Sequence, residues 1–239
     1  DDLSGVKGMG FYFTGAWDVT ACCVGSSSDI PEVLRVISGT RTSGTWQATL
    51  VVPAGTPPGS VCLTSLNIFD ELNNENRQGT LNSTPLDSLV TDFCFTIVNS
   101  TLDETPPVLV SASLSTDLVD VTSGSQDVVL TAEITDDLSG VKGMGFYFTG
   151  AWDITACCVD SSSDSPQVLR VISGTRTSGT WQATLVVPAG TPSGSVCLTA
   201  LIIFDELNNE IRQGTLTMPV TPLDPLVADF CFTIVNTGG

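Results

Sequence analysis

The chain contains no histidine, and only eight Lys and Arg stand against 26 Asp and Glu, a formal net charge of −18 over 239 residues. Without histidine it lacks the side chain that most often moves protons near neutral pH and most often ligates transition metals. The shortage of cations removes the electrostatic footprint that nucleic acid or an anionic membrane surface demands. No apolar run approaches the roughly 18 residues of a membrane helix, so no membrane insertion of this segment is expected. The opening residues, DDLSGVKGMG, have neither the basic nor the apolar region of a signal peptide. The sequence also lacks a nucleophile or cofactor motif and reads as non-enzymatic. Catalysis would have to rest on paired carboxylates such as Asp136 and Asp205, in the manner of glycoside hydrolysis.

What is present points to a folded extracellular chain. Hydrophobic residues make up 41% and charged residues 14%, the reverse of the balance that keeps chains disordered. Eight cysteines occur with no C-x-x-C spacing, which fits neither a zinc site nor a thioredoxin-like motif. An even number in a Ser/Thr/Gly-rich acidic chain reads as disulfides, and hence as an extracellular or cell-surface location.

The dominant feature is a repeat. Residues 1–83 and 136–218 match at 73 of 83 positions, and DFCFTIVN recurs at 92–99 and 229–236. A leader, DETPPVLVSASLSTDLVDVTSGSQDVVLTAEIT at 103–135, precedes the second copy, and the chain holds it once. One leader therefore serves two bodies, and the domains divide as 1–102 and 103–239, the first lacking its two N-terminal strands.

Helical periodicity is nearly absent, and short β-branched and aromatic runs alternate with Gly/Pro/Ser/Asp clusters. The complete copy predicts strands at 108–114, 127–135, 141–149, 167–173, 180–187, 195–204 and 229–235, with a further edge strand at 212–216. If consecutive strands run antiparallel, the loops after the second, fourth and sixth lie at the end where the first strand begins. The loops after the third and fifth lie at the other end.

The motifs D-x-T-P-P at 103–107, D-D-x-S-G-V at 136–141 and F-D-E-L-N-N at 204–209 resemble those of bacterial immunoglobulin-like repeats, which are related in architecture to cadherin-like modules. The resemblance covers most of 103–236. It implies an all-β fold of tandem immunoglobulin-like antiparallel β-sandwiches, as in cell-surface adhesins and extracellular fibres. The family's D-x-x-G-N after the sixth strand appears here as Asp205-Glu206-Leu207-Asn208-Asn209, without the glycine.

Strand parity gathers Asp103, Glu104, Asp136, Asp137, Asp205, Glu206, Asn208 and Asn209 at one end. The first copy repeats two of these groups as Asp1, Asp2, Asp70, Glu71, Asn73 and Asn74. Carboxylate and amide oxygens so gathered suit calcium, which takes six to eight oxygens at roughly 2.3–2.6 Å. Asp and Asn are also ordinary turn residues whose side chains bond nearby backbone, so the composition has a plain structural reading too.

The same parity puts Cys157, Cys158 and Cys197 at the opposite end, within reach of Cys231. Adjacent cysteines seldom bond each other, so the economical expectation joins each vicinal cysteine to Cys197 or Cys231. In the first copy Cys22 and Cys23 are likewise joined to Cys62 and Cys94, and the order stays open among three connectivities.

The copies differ where the second has Ala200, Ile202 and Ile211 in place of Ser65, Asn67 and Asn76, and where it adds Met218 and Val220. These could form an apolar patch, or record drift in half-buried strands. Asn82 and Asn99 open N-x-[ST] sequons that the second copy lacks, which makes them candidate glycosylation sites. Trp17, Trp46, Trp152 and Trp181 suit either a core or a sugar-binding platform.

The functional expectation is a structural subunit of an extracellular filament or adhesive stalk. Its partners would be further repeats, or copies of itself joined head-to-tail with strand complementation between neighbours. The alternative is a carbohydrate-binding accessory module.

Overall fold

A computed structural model describes residues 3–22, 34–157 and 165–238. The fold is all-β, with no helix among these residues, and the chain divides into two compact units, Asp1–Leu102 and Asp103–Gly239.

Unit 1 carries β1 (Val6–Gly15), β2 (Val19–Cys22), β3 (Arg35–Gly39), β4 (Gly44–Gln47), β5 (Gly59–Asp70), β6 (Glu75–Gly79) and β7 (Cys94–Ile97). Its main sheet runs β2-β1-β5-β6, with β7 also pairing β5, while among the described residues β3 and β4 pair only with each other. The buried cluster that joins its elements is small: Phe13, Val61, Leu63 and Ile97.

Unit 2 carries β8 (Val108–Leu114), β9 (Leu118–Asp120), β10 (Gln126–Thr135), β11 (Val141–Gly150), β12 (Ile154–Cys157), β13 (Arg170–Gly174), β14 (Ser178–Val187), β15 (Gly194–Asp205), β16 (Glu210–Gly214) and β17 (Cys231–Val235). One sheet runs β13-β14-β10-β8, and the other runs β12-β11-β15-β17-β9 with β16 also on β15. Both sheets feed one core. Leu109, Leu130 and Trp181 come from the first, and Phe146, Leu201 and Phe232 come from the second. The period-two burial along β14 is what an antiparallel strand with one covered face produces.

Equivalent strands carry equivalent irregularities. The β1–β5 register slips between Val6 and Gly8, and the β11–β15 register slips between Val141 and Gly143. A Cβ on Gly8 would lie 2.1 Å from the Phe69 ring, and one on Gly143 would lie 2.2 Å from the Phe204 ring. Glycine leaves room there for an aromatic ring to cover the backbone at the bulge.

Several strands depart from the sequence expectation. The strand expected over 167–173 starts only at Arg170, and the one expected from Asp229 starts at Cys231. The edge strand lies at Glu210–Gly214, two residues earlier than expected. Two short strands carry no sequence signal of their own. β9 has three residues and pairs parallel to β17, and β12 folds back on β11 within what reads as a long loop. Segments this short show no usable alternation, and only their partners define them.

Candidate cation site

The site is built from three segments of unit 2: the first residues of the unit, the β10–β11 loop and the β15–β16 loop. The two loops use one local device. Asp136 Oδ1 accepts the amides of Leu138 (3.2 Å) and Gly140 (2.6 Å), so the carboxylate folds back on its own turn. Asp205 Oδ1 accepts the Leu207 and Asn209 amides at 2.8 Å each. In unit 1, Asp70 Oδ1 does the same with Leu72 and Asn74. Short acidic side chains bond backbone two to four residues ahead in this way, and that local chemistry fixes the loop before any tertiary contact forms. Gly140 closes its turn at a φ of +89°, a conformation unstrained only for glycine.

The leader completes the site. Asp103 Oδ2 accepts the Ser139 amide at 2.8 Å, and Asn209 Nδ2 donates both to the Asp103 carbonyl (3.1 Å) and to Asp205 Oδ2 (2.7 Å). Thr105 Oγ1 donates to Asp137 Oδ1 at 2.6 Å. Asp103, Asp136 and Asp205 are buried, at 6%, 9% and 0% exposure. Burial pushes the Asp136 carboxyl above its usual value. The Leu138 and Gly140 amides oppose that rise, and the charges of Asp103 and Asp205 add to it.

Two oxygens of the site lack a partner. Asp136 Oδ2 and Ser139 Oγ are buried and make no hydrogen bond. A buried, unpaired carboxylate oxygen beside other carboxylates is costly, and it marks a place that a cation would satisfy. Ligand oxygens of Asp103, Asp136 and Asp137 all lie within 4.8 Å of one another. Oxygens on opposite sides of a hard cation at roughly 2.4 Å are separated by about that distance, which makes these three carboxylates a candidate cation site.

The other predicted ligands are engaged differently. Glu206 Oε1 takes Arg176 Nη1 at 3.0 Å, and Glu71 Oε1 takes Arg41 Nη1 at 2.8 Å, so each glutamate faces an arginine. Asn208 and Asn73 occupy the left-handed turn position, with φ of 68° and 63°, and Asn73 Oδ1 accepts Lys7 Nζ. Glu104 is exposed, and Asp1 and Asp2 lie outside the described residues. In unit 1, Asp70 is half-buried, and its carboxyl sits below the usual value, chiefly through the Asn74 side chain. The sequence gives no sign of Ser139 and Thr105 as members of the site, because their proximity depends on the leader crossing the loop.

The disulfides differ from the sequence expectation. Cys62 bonds Cys94, and Cys197 bonds Cys231, with Cα atoms 4.1 Å apart in both pairs. Each pair sits directly opposite in antiparallel register on neighbouring strands. Non-hydrogen-bonded partners on such strands approach to roughly 4.5 Å, close enough to be bridged without help from a loop. The vicinal cysteines are therefore not joined to these four. Cys157 ends β12, half-buried, with its amide on the Gln167 carbonyl at 3.1 Å, and Cys22 ends β2. Cys23 and Cys158 lie outside the described residues.

The remaining candidates also have places. Trp181 is fully buried in the core of unit 2, and Trp17, Trp46 and Trp152 are half-buried, so none of the four is fully exposed. Asn82 is exposed in a turn, whereas Asn99 Nδ2 donates to the Thr56 and Thr101 carbonyls. Met218 (99% exposed) and Val220 are open to solvent, Ile202 and Ile211 are half-buried, and Ala200 is buried. The two disulfides fit a non-cytoplasmic location, and no helix among the described residues is long and apolar enough to cross a membrane. No protein-family model matches the chain, and no curated protein matches it significantly.

Proposed function

We propose that the chain is a non-catalytic structural segment of an extracellular filament or adhesive surface stalk, built from disulfide-stapled immunoglobulin-like repeats and stiffened by calcium. The duplication carries this reading: one stapled β unit occurs twice in near-identical form. Repeating a scaffold is how repeat proteins gain length and mechanical continuity. The acidic cluster adds to it. Asp103 is the first residue of its unit and is tied to both loops. A cation held there would fix the incoming chain to the body of the domain. The strand-pairing disulfides resist separation of β5 from β7 and of β15 from β17, an arrangement suited to a chain under tension.

Electron microscopy of the non-reduced protein, at millimolar calcium and with chelator, tests this. Regular fibres or extended rods that soften in chelator are expected. Compact monomers of the same shape under both conditions would overturn the reading.

A further inference from the structure

The two units contain one stretch of sequence in two different states. Ser43–Val52 and Ser178–Val187 are both SGTWQATLVV, letter for letter. In unit 2 all ten residues form β14, and every one pairs with β10, from Gln126↔Val187 to Thr135↔Ser178. Trp181, Ala183, Leu185 and Val187 are buried there. In unit 1 only Gly44–Gln47 of this stretch is a strand, and among the described residues it pairs with β3 alone. Ala48–Val52 lies in no strand, and Val52 is 40% exposed where Val187 is 0%. Identical sequence cannot account for the difference. The leader strands β8 and β10 account for it, since unit 1 has no counterpart of either among the described residues.

We infer that unit 1 is a β-strand acceptor: along Ser43–Val52 it takes an antiparallel strand with the chemistry of Gln126–Thr135, in the register seen in unit 2. The occupant is a second leader of the 103–135 class, external to these 239 residues, because the chain's own leader already pairs within unit 2. Its recognition chemistry is legible in β10. Val128, Leu130, Ala132 and Ile134 alternate on the core side and are fully buried, while Gln126 and Glu133 stay exposed. Main-chain pairing would supply affinity, and the alternating apolar side chains would supply register. Such a leader would also bring an aspartate to the Asp70–Asn74 loop. Asn209 Nδ2 reaches both Asp205 and the Asp103 carbonyl, and Asn74 Nδ2 already holds Asp70 Oδ2 at 2.6 Å.

The inference rests on the repeat reading of the chain, but its test needs no assembly. Hydrogen exchange is followed on the full, non-reduced chain in chelator, with and without a synthetic 103–135 peptide. A second protein carries an extra copy of residues 103–135 fused ahead of Asp1. Amides of Thr45–Val52 are expected to slow by at least about 100-fold in the fusion and on peptide addition. A leader bearing Leu130→Asp and Ile134→Asp is expected to give no protection. Unchanged exchange over Thr45–Val52 in both the peptide and fusion experiments, with β14 still protected, would overturn the inference. Equal protection by the Asp-substituted leader would also overturn it. Fibres without leader-dependent protection would remove this inference alone, and protection without fibres would remove the filament reading alone.

Discussion

Replacing Asp136 by asparagine should change unit 2 in opposite directions according to whether calcium is present. Asn keeps an oxygen for the Leu138 and Gly140 amides and removes the charge whose second oxygen has no partner. Asp103 and Asp136 present oxygens within 4.8 Å of each other. At an effective dielectric of about 20, two charges at that separation repel by about 3 kcal/mol. Relief of part of that repulsion should raise the melting temperature in chelator. A unit of this size gains roughly 3–4 °C per kcal/mol, so the rise should be about 5–10 °C. For an ion held with a Kd on the order of 10⁻⁴–10⁻³ M, about 10 mM calcium should stabilise the unaltered protein by roughly 1.4–2.7 kcal/mol, or about 5–9 °C. The variant should gain less than about 2 °C, having lost a charged ligand. Calorimetry of the full chain reads both effects. The higher transition should belong to unit 2, which has the larger core. A variant less stable than the parent in chelator, or equal calcium shifts in both proteins, would refute the argument.

Three further outcomes are expected of the same molecule. In chelator, the Asp136 contribution to stability should be fully present below the ordinary carboxyl value of 3.8 and lost as pH rises through its raised folded value, because the folded state there binds the proton more tightly. Melting of the Asp136→Asn variant should lack that component; an unchanged difference between the two proteins across this pH window would contradict it. Trp181→Ala should cost about 3–5 kcal/mol, whereas Trp46→Ala, at the same sequence position in the half-covered unit, should cost about 1 kcal/mol or less. Denaturant titration of the two variants checks the ratio, and equal losses would argue that unit 1 is as fully covered as unit 2. A non-reducing peptide map should recover Cys62 with Cys94 and Cys197 with Cys231. Replacing Cys197 and Cys231 together by serine should cost roughly 2–4 kcal/mol, read by denaturant titration.

Local chemistry makes much of the molecule legible in its sequence. The alternation in Val108–Leu114 and Gln126–Thr135, the repeat and the D-x-x-x-G or D-x-x-x-N loops all depend on residues close in the chain. Strand succession then orders those loops in space, which is why Asp103, Asp136 and Asp205 can be grouped from sequence. Glu206 follows Asp205 in that grouping, and Glu71 follows Asp70 in the equivalent loop of unit 1, yet each meets an arginine from a distant strand connection, and proximity in sequence carries no sign of it. Cysteine pairing escapes the sequence for a related reason. It depends on the register of β17 against β15, a non-local quantity that a shift of one residue would reverse. The clearest division lies in SGTWQATLVV. Its sequence sets the alternation that a buried strand needs, but burial depends on a partner. With β10 beside it the segment is a ten-residue core strand, and without such a partner the same ten residues form four residues of strand and a run with Val51 and Val52 open to water.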